Sequence, residues 1–436
     1  MLNNMKSLQR ESVSTKMEKV YFLNLRNIYT CLKTDKVSYW LILFYLFIEY
    51  FRPQTLYPLI DILPFGMLAI SSCLIVFLFE GHAFSVGNTA NKLMVTFVVV
   101  ILLSSISGMS FEHSASYWYV FFSWLLIYFL IINIVNTESR FLLFTFLFIL
   151  CSFKMAQFSV RGWIAGGRGY STYGFGGGPG WFHNSGEFGI QMCVYFPIAF
   201  YFYMALKEFW PKWKKMAFAL FPLTGLTGMI SSSNRGTLVG GAAVVIWMFL
   251  KSKYKFKAIF ALVLVAFLAF NFIPEKQIER FQQAGKDQTS VSRIENWKKG
   301  LKIAEMYPVL GVGYKNWQIA DRKLFYGDGL MAHNIFIECV SELGYAGLAV
   351  FILLIFVTLK NNSKTRNLVM TNNNIENKFI YYMAHALDAA LIGYLVSGFF
   401  ITVLYYPYFW INLSMAVALN NIARLNYGAD SVHDSR

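Results

Sequence analysis

Residues 335–356 read IFIECVSELGYAGLAVFILLIF, an apolar run interrupted by two carboxylates, Glu338 and Glu342. About 20 such residues cross the hydrocarbon core of a bilayer as a helix. Apolar runs long enough to do so recur from Tyr39 to Leu419. A transmembrane barrel would instead show segments of roughly ten residues with alternating polarity. The sequence therefore predicts an all-α, polytopic transmembrane protein.

The composition agrees with this class. Of 436 residues, 56% are hydrophobic and 14% are charged, with a mean hydropathy of +0.47, whereas a soluble domain carries roughly a quarter charged residues. Five cysteines occur singly, so neither a metal site nor a disulfide framework is predicted. The net charge of +15 comes largely from basic links between spans, which indicates topology and contact with membrane lipids rather than nucleic acid.

About twelve spans are predicted from length and apolarity. They lie near residues 38–52, 60–79, 92–108, 116–135, 140–158, 185–206, 214–231, 236–250, 257–273, 333–359, 380–403 and 404–421. The last two are also compatible with a re-entrant pair around residues 405–407.

Three basic links predict the orientation of the spans. Alternating spans put the links at residues 207–215, 251–257 and 360–378 on one side, which is predicted to be cytoplasmic because cytoplasmic links carry excess Lys and Arg. Residues 1–37 then form a basic cytoplasmic tail before a retained first span, since no cleavage site follows that span. Residues 422–436 form a second cytoplasmic tail.

Two longer polar segments then face outward. The first nine spans occupy residues 38–273 and include an outer loop at 159–184, and the last three occupy 333–421. Residues 274–332 are predicted to form a large periplasmic loop with short helices, and they hold about ten Lys and Arg. The charge rule weakens for loops of this length, so these cations instead suit phosphates or anionic headgroups.

His333 lies between this loop and the apolar run that begins at Ile335. The macrodipole at a helix N-terminus disfavours imidazolium, so the ring is expected to be neutral. A neutral histidine can accept a proton from an attacking hydroxyl, which makes His333 a candidate general base. The alternative interpretation is an interfacial polar residue, with Asn334 as the helix cap.

Two arginines are candidate ligands of a diphosphate. Arg235 lies between two apolar runs, where an arginine is costly without a partner. Arg293 begins an amphipathic stretch that reaches Met306 and is predicted to lie on the membrane surface. A guanidinium is planar and keeps its charge, which suits a diphosphate. The alternatives are snorkelling to headgroups for Arg235, and pairing with Glu295 or contact with water for Arg293.

Further polar residues in outer positions are secondary candidates for contact with phosphate or glycan. They are Arg161, Arg168, Arg322, Lys323, Asn334 and Asn184. The sequence has no Walker loop and no Asp-x-Asp pair, so neither a nucleotide nor a metal is expected. The substrate is therefore expected to arrive already activated, through the membrane.

Three short motifs follow one another between about residues 225 and 356. They are Ser232-Ser-Asn-Arg-Gly236; Arg293-Ile-Glu-Asn-Trp297 with Tyr307-Pro-Val-Leu-Gly-Val-Gly313; and His333-Asn334 with Glu342-Leu-Gly344 and Gly347. In this order they resemble the motifs of the O-antigen ligase and polymerase superfamily. Asn184 resembles a further feature of that family, more loosely. The stretch 49–58 is similar to members associated with exopolysaccharide systems.

The resemblance implies a glycosyltransferase of the bacterial inner membrane with its active site facing the periplasm. The donor would be a glycan linked to polyprenyl diphosphate, and the acceptor a hydroxyl of lipid A core, another glycan or a protein. Arg235 and Arg293 would hold the diphosphate, and His333 would deprotonate the acceptor, giving transfer with inversion. No cofactor or metal is implied, because the diphosphate leaves as a stable anion.

The acceptor separates the main alternatives. The motifs favour a ligase slightly over a polymerase, which would extend another lipid-linked repeat unit. A lipid-linked oligosaccharide transporter would need charges through the membrane midplane, whereas the unusual charges lie mainly at one face. A structural scaffold would not need an arginine pair facing a histidine.

Overall fold

The computed structural model describes residues 19–81, 84, 87–169, 171, 174–178, 184–256, 259, 275–371 and 378–428. Within these ranges the chain forms helices joined by turns and contains no strand. The prediction of an all-α protein is therefore confirmed. The predicted span near 257–273 lies outside the described residues apart from residue 259, as do residues 1–18 and 429–436 of the two tails.

The helices of eight or more residues in these ranges are numbered in chain order. They are α1 (Leu25–Lys33), α2 (Val37–Phe51), α3 (Phe65–Phe79), α4 (Thr89–Ser107), α5 (Phe111–Ile134), α6 (Glu138–Ala165), α7 (Ser185–Leu206), α8 (Lys212–Ser231), α9 (Arg235–Lys251), α10 (Glu275–Gln282), α11 (Gln288–Met306), α12 (Trp317–Phe325), α13 (Ile335–Thr371), α14 (Lys378–Gly398) and α15 (Pro407–Tyr427).

Six of the described helices are long and apolar enough to cross a membrane, namely α4, α5, α6, α7, α13 and α14. Helix α3 is apolar but shorter, and α2, α8, α9 and α15 also coincide with predicted apolar runs. The class of polytopic membrane protein is confirmed. The number of about twelve spans stays a prediction.

The helices differ from the predicted spans at several ends, most clearly at α3 and between α14 and α15. Helix α3 begins at Phe65 rather than near residue 60, because Pro58 opens a separate 3-10 turn and Pro64 lacks the N–H that a helix interior needs. Helix α14 ends at Gly398 and α15 begins at Pro407. Residues 399–406 therefore form a turn, hereafter the 399–406 turn, where the sequence predicted nearly continuous spans.

Helices α7, α9 and α14 cross closely because glycines face their neighbours. A methyl group added at Gly240 would lie 1.8 Å from Ser397 Oγ, and one at Gly189 would lie 1.9 Å from Thr237 Oγ1. Small residues at a crossing let helix backbones approach within a bilayer, where packing rather than hydrophobicity drives association. This crossing fixes the starts of α7 and α9 side by side.

Helix α13 is broken at Gly344, whose φ of 66° and ψ of −171° are not helical. The break releases backbone groups, which pair with the turn segment 308–313. The four hydrogen bonds are Val312 N to Ser341 O, Gly313 N to Glu342 O, Tyr345 N to Pro308 O and Ala346 N to Val309 O. A Cβ at Gly344 would lie 2.3 Å from Val309 O, so glycine is required both for the conformation and for the close approach.

Segment 275–332, which the sequence predicts to face outward and which is hereafter the outer segment, packs on α13 through its own small apolar cluster. Its buried members are Ile303, Val312, Trp317, Ala320 and Ala332. Polar anchors add to it. The Glu342 carboxylate accepts hydrogen bonds from the backbone N–H groups of Lys315 and Trp317 and from the Tyr405 hydroxyl. The outer segment is therefore fixed to the membrane helices on both sides of the kink.

Candidate functional site

Four described helices begin with an asparagine side-chain cap, Asn88 before α4 among them, and the other three begin at the candidate site. The side-chain oxygens of Asn184, Asn234 and Asn334 accept backbone N–H groups in the first turns of α7, α9 and α13. Asn234 Nδ2 lies 3.0 Å from the position that a Cβ would take at Gly186, so the starts of α7 and α9 adjoin. Asn184 and Asn334, both secondary site candidates, thus act in the structure as helix caps.

His333 is held in a fixed position immediately before α13. Its backbone lies in the left-handed region, with a φ of 51°, and its N–H donates to Thr402 Oγ1 at 2.7 Å. Three side chains fix the residues leading to it: Gln318 donates to Gly329 O, Trp317 to Leu330 O and Asn296 to Met331 O. The ring is therefore positioned by the outer segment and the 399–406 turn together.

The His333 ring is neutral at physiological pH. Burial lowers the pKa of this histidine to about 4, with a further contribution from the nearby Arg293 cation. Its Nδ1 is buried without a hydrogen-bond partner among the described residues. The neutral ring was predicted from the helix macrodipole, whereas the structure attributes it to desolvation and a neighbouring charge.

Arg293 is a half-buried cation on α11 with an incomplete set of partners. Its Nε is buried and has no hydrogen-bond partner among the described residues. Burial lowers the pKa of Arg293, and the neighbouring cations Arg235 and Arg280 lower it further, against the opposing effect of Asp287. Because burying an unpaired charge is costly, this position favours the binding of an anion.

Arg235 differs from Arg293 because its guanidinium already has hydrogen-bond partners within the chain. Its two terminal nitrogens donate to both Asp287 carboxylate oxygens, at 2.9 and 3.0 Å, to Arg280 O at 2.7 Å and to Ser290 Oγ at 3.2 Å. The hydrogen bonds from Arg235 hold the pKa of Asp287 well below its ordinary value. In this structure Arg235 binds a carboxylate of its own chain with the geometry predicted for a diphosphate.

Asp287 was not identified from the sequence. It is the N-cap of α11, where its carboxylate accepts the Ser290 N–H at 3.1 Å and the Ser290 hydroxyl at 2.6 Å. This cap explains why α11 begins at Gln288, before the predicted amphipathic stretch at Arg293. An Asp followed three residues later by Ser was the available signal, since Asp is a favoured N-cap.

The 399–406 turn was also missed as part of the site. Besides Thr402, it provides Leu404 N–H to the Glu338 carboxylate at 3.2 Å and the Tyr406 hydroxyl to Glu187 at 3.2 Å. It therefore connects the first turns of α7 and α13 to His333. Its apolar composition gave no sequence signal of this role.

The first outer loop meets the turn that precedes Arg235. Phe175 N donates to Ser231 O at 3.1 Å, and the Ser159 and Ser231 hydroxyls lie 2.7 Å apart. Gly174 lies so close to Ser232 O that a Cβ would approach it to 2.1 Å. The turn before Arg235 therefore contacts the first loop through Phe175 and Gly174, while Arg235 itself contacts segment 275–332 through Asp287.

The remaining basic candidates are exposed, although the Arg322 side chain lies against Gly329 in the segment that leads to His333. Arg161 and Arg168 are exposed at and beyond the end of α6, and Arg322 and Lys323 are exposed on α12. Within the described residues no hydrogen bond or ion pair joins their side chains to His333. In those same ranges no group of three or more His, Cys, Asp and Glu side chains is arranged to hold a metal ion.

The fold and this site define a class of protein, a polytopic helical membrane protein with a half-buried histidine beside Arg293, which in turn lies near Arg235. Residues 198–352, which contain all three residues, match the family model described as O-antigen ligase. The exopolysaccharide production protein ExoQ of Rhizobium meliloti (strain 1021) is 34% identical over 84 residues, a match that covers 17% of this chain and 19% of that relative. The two matches support the O-antigen ligase and polymerase superfamily, so the predicted resemblance is confirmed.

Proposed function

We propose that this protein transfers a glycan from a polyprenyl-diphosphate carrier to an acceptor hydroxyl at the outer face of the bacterial inner membrane. The observation that carries the proposal is the placement of Arg293, a half-buried cation with a buried and unpartnered Nε, beside the neutral His333. The family match covers both residues. A cation whose hydrogen-bond donors are not all paired and a base that is free to accept a proton are the two groups that this transfer needs.

Arg293 is the proposed main ligand of the diphosphate. A bound diphosphate would offset its burial, and it would stabilise the negative charge that develops as the carrier leaves. Arg235 is proposed to stabilise the site indirectly. Its hydrogen bonds to Asp287 hold the start of α11, and its charge adds to the local positive potential. The contacts favour these unequal roles over the two equal diphosphate ligands predicted from the sequence.

His333 is the proposed general base. The acceptor oxygen forms a bond to the anomeric carbon while the bond from that carbon to the diphosphate oxygen breaks. The diphosphate takes the electron pair, the hydroxyl proton passes to His333, and the anomeric configuration inverts. Because the leaving group is a stable anion, the reaction requires neither a metal nor a cofactor.

A bound diphosphate would also prepare His333 for this step. Arg293 lowers the pKa of His333 in the unliganded protein, and an anion beside Arg293 would offset that charge. The pKa of the histidine would then rise towards neutrality, where a general base is most effective. Binding of the donor would thus both place the leaving group and increase the basicity of His333.

Two acceptors remain candidates within this reaction. The motifs favour a ligase, which would use lipid A core or a similar acceptor. The curated relative is described as an exopolysaccharide production protein, which favours a polymerase that joins lipid-linked repeat units. Both place the same bond-forming chemistry on His333.

The test is the length distribution of glycan on the polyprenyl carrier in cells that carry His333→Ala. General-base removal should lower transfer by about 10²-fold or more. Long untransferred chains on the carrier would identify a ligase, and single repeat units would identify a polymerase. His113→Ala, at the start of α5, is the matched control and should leave the distribution unchanged. An unchanged distribution with His333→Ala, in membranes that contain the protein, would contradict the proposal.

A further inference from the structure

Three buried nitrogen atoms near the proposed site have no hydrogen-bond partner among the described residues. They are Arg293 Nε, His333 Nδ1 and Trp297 Nε1. The first two have roles in the proposed reaction. The third belongs to a tryptophan in the Arg293–Trp297 motif to which neither the reaction nor the comparisons assign a function.

Trp297 shares a face of α11 with Arg293. The two residues are four positions apart on α11, so their side chains lie on one face, one turn from each other. Arg293 is close enough to His333 to lower its pKa. The indole therefore lies beside the groups proposed to hold the diphosphate and accept the proton.

Apolar contacts hold the Trp297 ring in its orientation. It packs edge-on against Phe399, with ring centroids 5.1 Å apart and planes at 73°. Phe399 in turn packs against Phe336, with centroids 6.4 Å apart. These contacts fix the ring but supply no acceptor for its N–H.

An indole N–H can only donate, and a buried tryptophan normally has an acceptor for it. Leaving such a donor unpaired carries the full cost of removing it from water. The Arg293 guanidinium one turn away strengthens the case for an anionic acceptor. The acceptor that both groups lack is an oxygen that carries negative charge.

We propose that Trp297 is a further substrate-binding residue, whose indole N–H donates to a non-bridging oxygen of the substrate diphosphate beside Arg293. This inference rests on the proposed function. It assigns the tryptophan of the motif a polar contact with the leaving group, in addition to its packing against Phe399.

The test compares variants of the purified protein in detergent for binding of geranylgeranyl diphosphate, with geranylgeraniol as the uncharged probe. Trp297→Phe keeps an aromatic ring against Phe399 and removes the donor. Loss of a hydrogen bond to a charged group should raise the Kd for the diphosphate about tenfold, without changing binding of the alcohol. Trp124→Phe is the matched control, because Trp124 on α5 is also buried with an unpartnered Nε1 but is separate from the site.

The outcomes separate this inference from the proposed function. If Arg293→Ala weakens diphosphate binding and Trp297→Phe leaves it unchanged, the inference is wrong and the proposed site stands. If the unaltered protein binds the diphosphate no better than the alcohol, the proposed function itself fails.

A second measurement needs no substitution, in case Trp297→Phe unfolds. In protein with ¹⁵N-labelled tryptophan, the diphosphate should shift an indole N–H resonance that the alcohol leaves in place. The absence of any such shift at saturating diphosphate would overturn the inference.

Discussion

Arg235 and Asp287 form a bidentate ion pair between the first residue of α9 and the cap of α11, with nitrogen–oxygen distances of 2.9 and 3.0 Å. The pair joins a membrane helix to the outer segment that carries Arg293. Both side chains are largely buried, at 13% and 21% exposure, so solvent screens the pair less than it would a surface pair. The position of Arg293 relative to His333 therefore depends on this contact.

Replacing Arg235 with lysine should lower transfer strongly although the charge is kept. A lysine cannot make the parallel bonds to both Asp287 oxygens and reach Arg280 O and Ser290, so α11 loses part of its anchor. The expected loss of stability is about 1–3 kcal/mol, the cost of a broken buried network. Transfer activity in membranes and the thermal unfolding midpoint of the purified protein measure the two effects.

Asp287→Asn tests the ion pair without removing the helix cap. Asparagine caps a helix as well as aspartate does, so α11 should still begin at Gln288 while the charge pairing with Arg235 is lost. Arg322→Lys, an exposed change on α12, is the control. Full activity in both Arg235→Lys and Asp287→Asn would show that the pair does not position Arg293.

The protonation of His333 should depend on Arg293. In the unliganded protein the pKa of His333 is lowered to about 4, and removing the neighbouring cation in Arg293→Gln should raise it, although burial keeps it below its ordinary value. NMR titration of ¹³C-labelled histidine, with His333→Ala to assign the signal, measures this. A His333 that titrates near pH 6.5 in the unaltered protein would contradict the structure.

The lowered pKa of His333 also makes the stability of the protein depend on pH. Between the unfolded pKa of about 6.5 and the folded value of about 4, the unfolded chain binds a proton that the folded protein does not. Stability should therefore fall as pH falls through this window, and His333→Ala should reduce that dependence.

Thr402 should act as a positioning residue for His333. Thr402→Val keeps the shape of the side chain but removes the hydroxyl that accepts the His333 N–H at 2.7 Å. We expect kcat to fall about tenfold while the KM for the donor changes little, because the base is misplaced and Arg293 is not. Thr402→Ser, which keeps the hydroxyl, should retain most of the activity. Equal kcat values for the valine and serine variants would exclude this role.

The outward orientation of the 275–332 segment is a prediction that a single cysteine can test. A Cβ at Gly285 would meet no neighbouring atom, so a φ of 86° there costs only local backbone strain in an exposed turn, whereas a Cβ at Gly327 would meet the Asp321 carboxylate at 2.2 Å. Gly285→Cys is therefore the better reporter. The background should carry Cys31→Ser, because the other four cysteines are buried.

An impermeant thiol reagent should label Gly285→Cys in intact spheroplasts. The native Cys31, on α1, should be labelled only after lysis, which makes the unaltered protein the control. Labelling of position 285 only after lysis would reverse the orientation of the spans.

The sequence determined the class of the protein and predicted the three residues of the proposed site. Continuous apolar runs predicted membrane helices, because a buried backbone in lipid must satisfy its own hydrogen bonds. The motifs at Arg235, Arg293 and His333 fall inside the segment that matches the family. Asparagine caps at the three helix starts of the candidate site are local signals and were readable from the sequence.

Only the tertiary structure decided what each of these groups touches. The Asp287 carboxylate binds the Arg235 guanidinium although 52 positions separate the two residues in the chain. The Thr402 hydroxyl accepts the His333 backbone N–H from a turn of apolar composition. Burial beside Arg293 lowers the pKa of His333, an effect that depends on where α11 packs. The partners, burial and charge environment of these residues come from segments that are distant in sequence. Local patterns therefore predicted the residues, whereas only the packing of the helices determined what surrounds them.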